Sequence, residues 1–102
     1  MFSIIYITAG SLDEAKSIGR TLVEERLAAC ANIFPINSIF RWKDNIEEAE
    51  EFGIIVKTKT DRVKDVEKRV KQLHSYEVPC IVSFKIGSGL EDYLKWIGES
   101  VS

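Results

Sequence analysis

Histidine and methionine each occur once in this 102-residue chain, and cysteine and proline twice. With one histidine and no recognisable pairing of nucleophile and base, the sequence offers no enzyme active site, and none is expected. P-loop, dinucleotide-binding and zinc-protease signatures are absent. Cys30 and Cys80 share no CxxC spacing, which excludes a zinc knuckle or a redox pair and favours reduced thiols. No apolar run approaches the roughly 18 residues of a membrane span. There is no excess of basic residues either: the formal net charge is -2, so neither nucleic acid nor an acidic membrane is an expected partner. The opening Met1-Phe2-Ser3-Ile4-Ile5-Tyr6 shows no basic leader and no small-residue cleavage site, from which a cytoplasmic location is expected.

What is present is a soluble globular composition, 45% hydrophobic and 29% charged, with material for one core and one domain over residues 1–102. Residues 2–8 are rich in branched and aromatic side chains on both faces, which predicts a strand buried on two sides. Ser11 and Glu14 have capping-box spacing, and the apolar stripe Leu12, Ala15, Ile18, Leu22 and Leu27 predicts a helix to about Arg26. Residues 28–42 read as a long strand with a bend or bulge at Pro35. Lys43-Asp44-Asn45 supplies a turn, and Phe52, Ile54, Val56 and Thr58 alternate along a returning strand, making a hairpin long enough to project beyond the core. Val63, Val66, Val70 and Leu73 predict a second helix, residues 81–86 a fourth strand, and Ser88 with Glu91 a second capping box opening a short final helix.

The order β-α-β-β-α-β defines a ferredoxin-like α+β sandwich, an antiparallel four-stranded sheet with a long hairpin between its second and third strands and both long helices on one face. The other face is uncovered and apolar, so a closed homo-oligomer is expected. An RNA-binding module of this topology would carry glycine and stacking aromatics on a central strand, which Gly53-Ile54-Ile55-Val56-Lys57 does not.

Imidazole, phenol, carboxylate and thiol fall together in His74-Ser75-Tyr76-Glu77-Val78-Pro79-Cys80, the connection from second helix to last strand. Alternative readings stand side by side. His74 ends a helix by bonding to backbone, contacts a metal, or contacts an organic ligand. Cys80 either packs inertly or joins His74 in a thiolate–imidazole site suited to copper(I) or zinc. Lys57, a charge within an apolar strand, either reaches the sheet end, pairs with a carboxylate, or serves a pocket. Glu48 and Glu50 point to one strand face and Glu47 and Glu51 to the other, so one subunit cannot gather all four. Trp42 and Trp96 read as packing anchors.

Four blocks in order, Ala28-Ala29-Cys30-Ala31-Asn32, Ser38-Ile39-Phe40-Arg41-Trp42, Glu50-Glu51 leading into Ile54-Ile55-Val56-Lys57-Thr58, and His74-Ser75-Tyr76-Glu77-Val78-Pro79, resemble the CutA family of divalent-cation tolerance proteins. The resemblance implies an interlocked homotrimer, shaped like the PII-type signalling proteins, with tolerance of copper and other divalent cations as its role and no catalysis of its own. Many members carry Pro at Ser75, Tyr at Phe40, Gly at Asp44 and Glu at Cys80, and some add a cysteine at Ile7 and a histidine at Leu73. The candidate metal ligands are accordingly His74, Glu77, Cys80 and Cys30, and the candidate pocket between subunits uses Lys57, Tyr76, Trp42 and Glu50. No cofactor is required; copper or another divalent ion is the expected ligand, and a protein partner is compatible with the family. The alternative is a PII-like regulatory trimer binding a small metabolite or partner peptide in its cleft.

Overall fold

A computed structural model describes all residues, Met1–Ser102. The elements are β1 (Phe2–Ala9), α1 (Leu12–Glu24), β2 (Cys30–Trp42), β3 (Asn45–Lys59), one 3-10 turn (Thr60–Arg62), α2 (Val63–Leu73), β4 (Ile81–Lys85) and α3 (Glu91–Ser100). The sheet order is β2-β3-β1-β4, all neighbours antiparallel, which is the ferredoxin-like arrangement expected.

Alternation along β1 decides where the core sits. Ile5, Ile7 and Ala9 are fully buried, and their partners Val56 and Ile54 on β3 share that face. Ala15, Ile18 and Leu22 of α1 and Val63, Val66 and Val70 of α2 close over it as one cluster. A fully buried branched side chain contributes roughly 1.5–3 kcal/mol, so this layer carries most of the stability. Phe2, Ile4 and Tyr6 on the other face of β1 are only half-buried. The expectation of burial on both sides therefore fails within one chain, because no layer of its own covers that face except where α3 lies. Phe2 and Leu94 pack there with Ile97 and Val101, and Gly98 faces the Phe2 ring.

The ends of the elements follow local chemistry. Ser11, in extended geometry, accepts the Glu14 N–H at 3.1 Å and caps α1. At the other end Arg26 adopts a positive φ of 59°, with Arg26 N–H bonded to Val23 and Leu27 N–H to Leu22, the paired closure that usually recruits glycine. The second capping box is not formed. α3 starts after Leu90 without a side-chain cap, and Ser88 lies too far upstream to provide one.

The hairpin contains no bulge. Pairing runs unbroken from Cys30↔Lys57 to Trp42↔Asn45 around a two-residue turn, Lys43-Asp44, with φ of 50° and 68°. Positive φ at both turn residues gives the twist that matches paired strands. Hydrogen-bonded and non-bonded pairs alternate from such a turn, so Pro35 falls in a non-bonded pair with its ring nitrogen toward the free edge of β2. Only Phe52–Lys59 of β3 pairs with β1, so residues 36–42 and 45–51 extend past the third strand as a two-stranded arm. The molecule is accordingly elongated, 44 × 25 × 21 Å.

Candidate functional site

The open face of the sheet ends, on the hairpin side, in a cleft of about 950 Å³. The twisted hairpin arm forms one wall, supplying Phe40, Trp42, Glu47 and Glu51, and the 74–80 connection forms the other, supplying Tyr76, Glu77 and Cys80. Tyr6 and Thr8 of β1 form the floor. Glu51 is 6% exposed, and the Tyr76 hydroxyl donates to its Oε2 at 2.6 Å. Burial, together with the adjacent Glu51 carboxylate, pushes the Tyr76 phenol up to about 12. Gly10 makes room for this bond, since a Cβ there would stand 3.0 Å from the Tyr76 oxygen. Burial also raises the Cys80 thiol, and Glu51 adds to that while a bond to Thr8 opposes it, so Cys80 is a protonated thiol at neutral pH. Glu47, Glu48, Glu51 and Glu77 line the cleft and no Lys or Arg does, which gives it a negative field.

His74 is not part of that lining. Its ring lies below the surface: Nδ1 accepts the Tyr76 N–H at 3.1 Å, so Nε2 carries the proton and donates to the Thr8 carbonyl at 2.6 Å. Both nitrogens are spent on backbone groups, and the side chain has no exposed area. Within the chain these are the contacts of the helix-end reading. Glu14 completes the lock. Its carboxylate accepts the Ser75 N–H at 2.8 Å and lies 3.7 Å from His74 Nδ1. Burial works to raise the Glu14 carboxyl, but the bonds it accepts from Ser75 and Gly10 outweigh it, and the net shift is downward.

A depressed folded-state value means that Glu14 contributes stability above the unfolded carboxylate range, and that this is lost as pH falls through the folded value. Acid unfolding followed by circular dichroism is expected to differ least between wild type and Glu14→Gln at the acidic end of the curve, and most near neutrality. A constant gap across the whole range would contradict the assignment.

The expected ligand set is not gathered. No three His, Cys, Asp or Glu groups converge to hold a metal within the chain. Cys30 sits level with Ile4, at the far end of β2, whereas Cys80 precedes Ile81, the partner of Ile7. Three strand spacings and about four residues separate them, on the order of 20 Å. The single chain therefore does not fit a closed metal centre built on His74, Glu77, Cys80 and Cys30.

The pocket set divides similarly. Tyr76 and Trp42 line the cleft, but Glu50 points to the other face of the arm, and its neighbour Glu51 takes the buried position. Lys57 belongs to a separate cluster under α3. It pairs with no carboxylate; its Nζ donates to Asn32 at 3.0 Å and to the Tyr93 hydroxyl at 3.2 Å, while Cys30 Sγ lies 3.6 Å from that hydroxyl. Trp42 and Trp96 are not packing anchors in the chain, being 38% and 42% exposed. Strand parity would have found Glu51, because the open-face series Lys57, Ile55, Gly53 extends to it. The reach of Glu14 from α1 to Ser75 has no sequence signal.

These features define a class: a ferredoxin-like domain with a β2–β3 arm longer than its sheet, a half-open apolar face and an acidic cleft at the base of the arm. The family model described as CutA1 divalent ion tolerance protein matches residues 3–100, and the chain belongs to that family. It is 50% identical to the divalent-cation tolerance protein CutA of Archaeoglobus fulgidus over 101 residues, 99% of each chain. The solved structure of that protein superposes with a TM-score of 0.98 over 100% of both chains, and the Thermus thermophilus structure, 43% identical and likewise fully covered, with 0.96. The family is named for tolerance of divalent cations and not for a reaction.

One expectation is overturned by the comparison. The Archaeoglobus structure is described as that of a periplasmic protein, and the cytoplasmic expectation for this chain does not stand against it. Residues 2–9 form the central strand β1, so their composition answers to the sheet and says nothing of destination. No helix is long and apolar enough to cross a membrane.

Proposed function

We propose that the chain acts in tolerance of divalent cations as a homotrimer that binds copper or another divalent ion, with no catalysis of its own. The carrying observation is the acidic cleft: four glutamates and a thiol with no basic side chain among them. Because one chain does not assemble three ligating groups, the coordination sphere is completed by a neighbouring copy. Trimer formation is supported by the half-open face, where Val82 and Phe84 of β4 are 47% and 59% exposed beside Ile4 and Tyr6. The free edges of β2 and β4 supply main-chain donors and acceptors for pairing with neighbours. Cation binding then depends on Glu51 and Cys80 rather than on His74.

Titration calorimetry of the metal-free protein with copper(I), copper(II) and zinc tests this. Glu51→Gln is expected to weaken binding by at least about tenfold, as loss of one charged ligand should, and Cys80→Ser to weaken copper(I) selectively. Undiminished binding in both variants would remove the cleft from the account, and nucleotide binding there would favour the PII-like alternative.

A further inference from the structure

The single histidine is held by an arrangement that depends on a lone pair. His74 Nε2 donates to the Thr8 carbonyl at 2.6 Å and Nδ1 accepts the Tyr76 N–H at 3.1 Å, in a side chain with no exposed area. Both partners belong to the same chain, so this burial does not depend on neighbouring copies. A proton on Nδ1 turns that acceptor into a donor and sets two N–H groups against each other.

The charges around the ring decide whether the fold can take that proton. From α1, Glu14 stands with Oε2 3.7 Å from Nδ1. From β3, Glu51 lies beyond the Tyr76 ring, whose centroid is 4.7 Å from that of His74. β1 presents the Thr8 carbonyl, and Cys80 bonds to the same residue. α2 brings its C-terminus, while its last-turn Lys71 faces an outer groove with Glu77. Carboxylates and a helix C-terminus both favour a cation at the ring. The Glu14 carboxyl is held below its ordinary range, the Cys80 thiol above its own, and the Tyr76 phenol at about 12. In mildly acidic solution the imidazole is therefore the group of this set that changes charge.

We propose that His74 is a proton-operated latch on the 74–80 connection: protonation at Nδ1 releases the Tyr76 N–H, draws the ring to Glu14 and parts the Tyr76 hydroxyl from Glu51. The proton comes from solvent and adds to the Nδ1 lone pair, and no covalent bond breaks. Glu14 Oε2 closes on the new N–H from 3.7 Å to the roughly 2.8 Å of a charge-assisted bond, while Nε2 keeps the Thr8 carbonyl. Ser75 stays bonded to Glu14, so the movement starts at Tyr76. The Tyr76 ring packs on Gly10 and its hydroxyl reaches Glu51 at 2.6 Å, so displacing the Tyr76 backbone ends that bond too. Acidification thereby loosens one wall of the cleft from inside the fold, and no ligand is required.

Nuclear magnetic resonance of the metal-free assembled protein between about pH 8 and about pH 5 tests this, because one histidine gives one unambiguous set of ring signals. The His74 ring, the Tyr76 amide and the Tyr76 ring are expected to shift with a common midpoint. Exchange of the Tyr76 amide, referred to an unstructured peptide at each pH, should quicken by about tenfold across the step, the worth of one hydrogen bond. The Ser75 amide, the far-ultraviolet circular dichroism and the mass should not change. In His74→Ala, studied where it remains folded, the step at Tyr76 should vanish. A ring that titrates while the Tyr76 amide holds still, or that takes no proton before the chain unfolds, overturns the latch. So do equal loosening of Ser75 and Tyr76, and a Tyr76 step that survives in His74→Ala.

Discussion

His74→Ala is expected to destabilise the fold by about 3–5 kcal/mol, one of the two largest single-residue effects in the chain. The loss has two sources. Removing the ring strands the Thr8 carbonyl and the Tyr76 N–H, two backbone groups it now satisfies at 2.6 and 3.1 Å. Each orphaned buried group costs about 1–3 kcal/mol, and the empty space left beside the Tyr76 ring adds to that. At fixed protein concentration the melting temperature should fall by more than about 10 °C. Under conditions where the variant remains folded, its zinc and copper affinities should be close to those of wild type. An alanine variant with unaltered melting and abolished metal binding would return His74 to the role of ligand.

Phe84→Lys is the second. In the isolated chain this side chain is 59% exposed and the substitution removes little. In an assembly that covers the open face, it buries an ammonium group with no partner, an effective penalty of several kcal/mol at each copy. The expected outcome is dissociation to single chains with the secondary structure retained, read by light scattering and far-ultraviolet circular dichroism. The same substitution at a partly solvated apolar residue of the helix layer, Val23→Lys on α1, serves as the reference. If both variants keep the wild-type mass, Phe84 is not in an interface.

The layout of the fold was written in local patterns. Period-two and period-four apolar spacing located four strands and three helices, and the Ser11 cap was legible because it acts within one turn of chain. What could not be read locally was misread. Pro35 looked like an interruption because proline breaks sheet pairing in general, yet its parity relative to the Lys43-Asp44 turn places it where no bond is required. Ser88 and Glu91 had the spacing of a cap without the backbone geometry for one.

The site was legible in part for the same reason. Tyr76, Glu77 and Cys80, neighbours in sequence, line one cleft with Trp42, which comes to it from the arm. His74 stands in the middle of that grouping but turns inward, since Thr8, 66 residues away in sequence, offers its carbonyl from β1. Glu50 and Glu51 are chemically the same, and only the strand face separates the solvated one from the buried one. Lys57 and Cys30 proved to be neighbours of Tyr93 on α3, a contact between distant segments that no spacing encodes.

Native mass spectrometry of the intact protein at micromolar concentration bears most directly on whether copies of the chain share their open faces. Three chains of 11.6 kDa should appear as one species near 35 kDa, stable on dilution and converted to single chains by Phe84→Lys. A wild-type spectrum dominated by folded 11.6 kDa chains would contradict it.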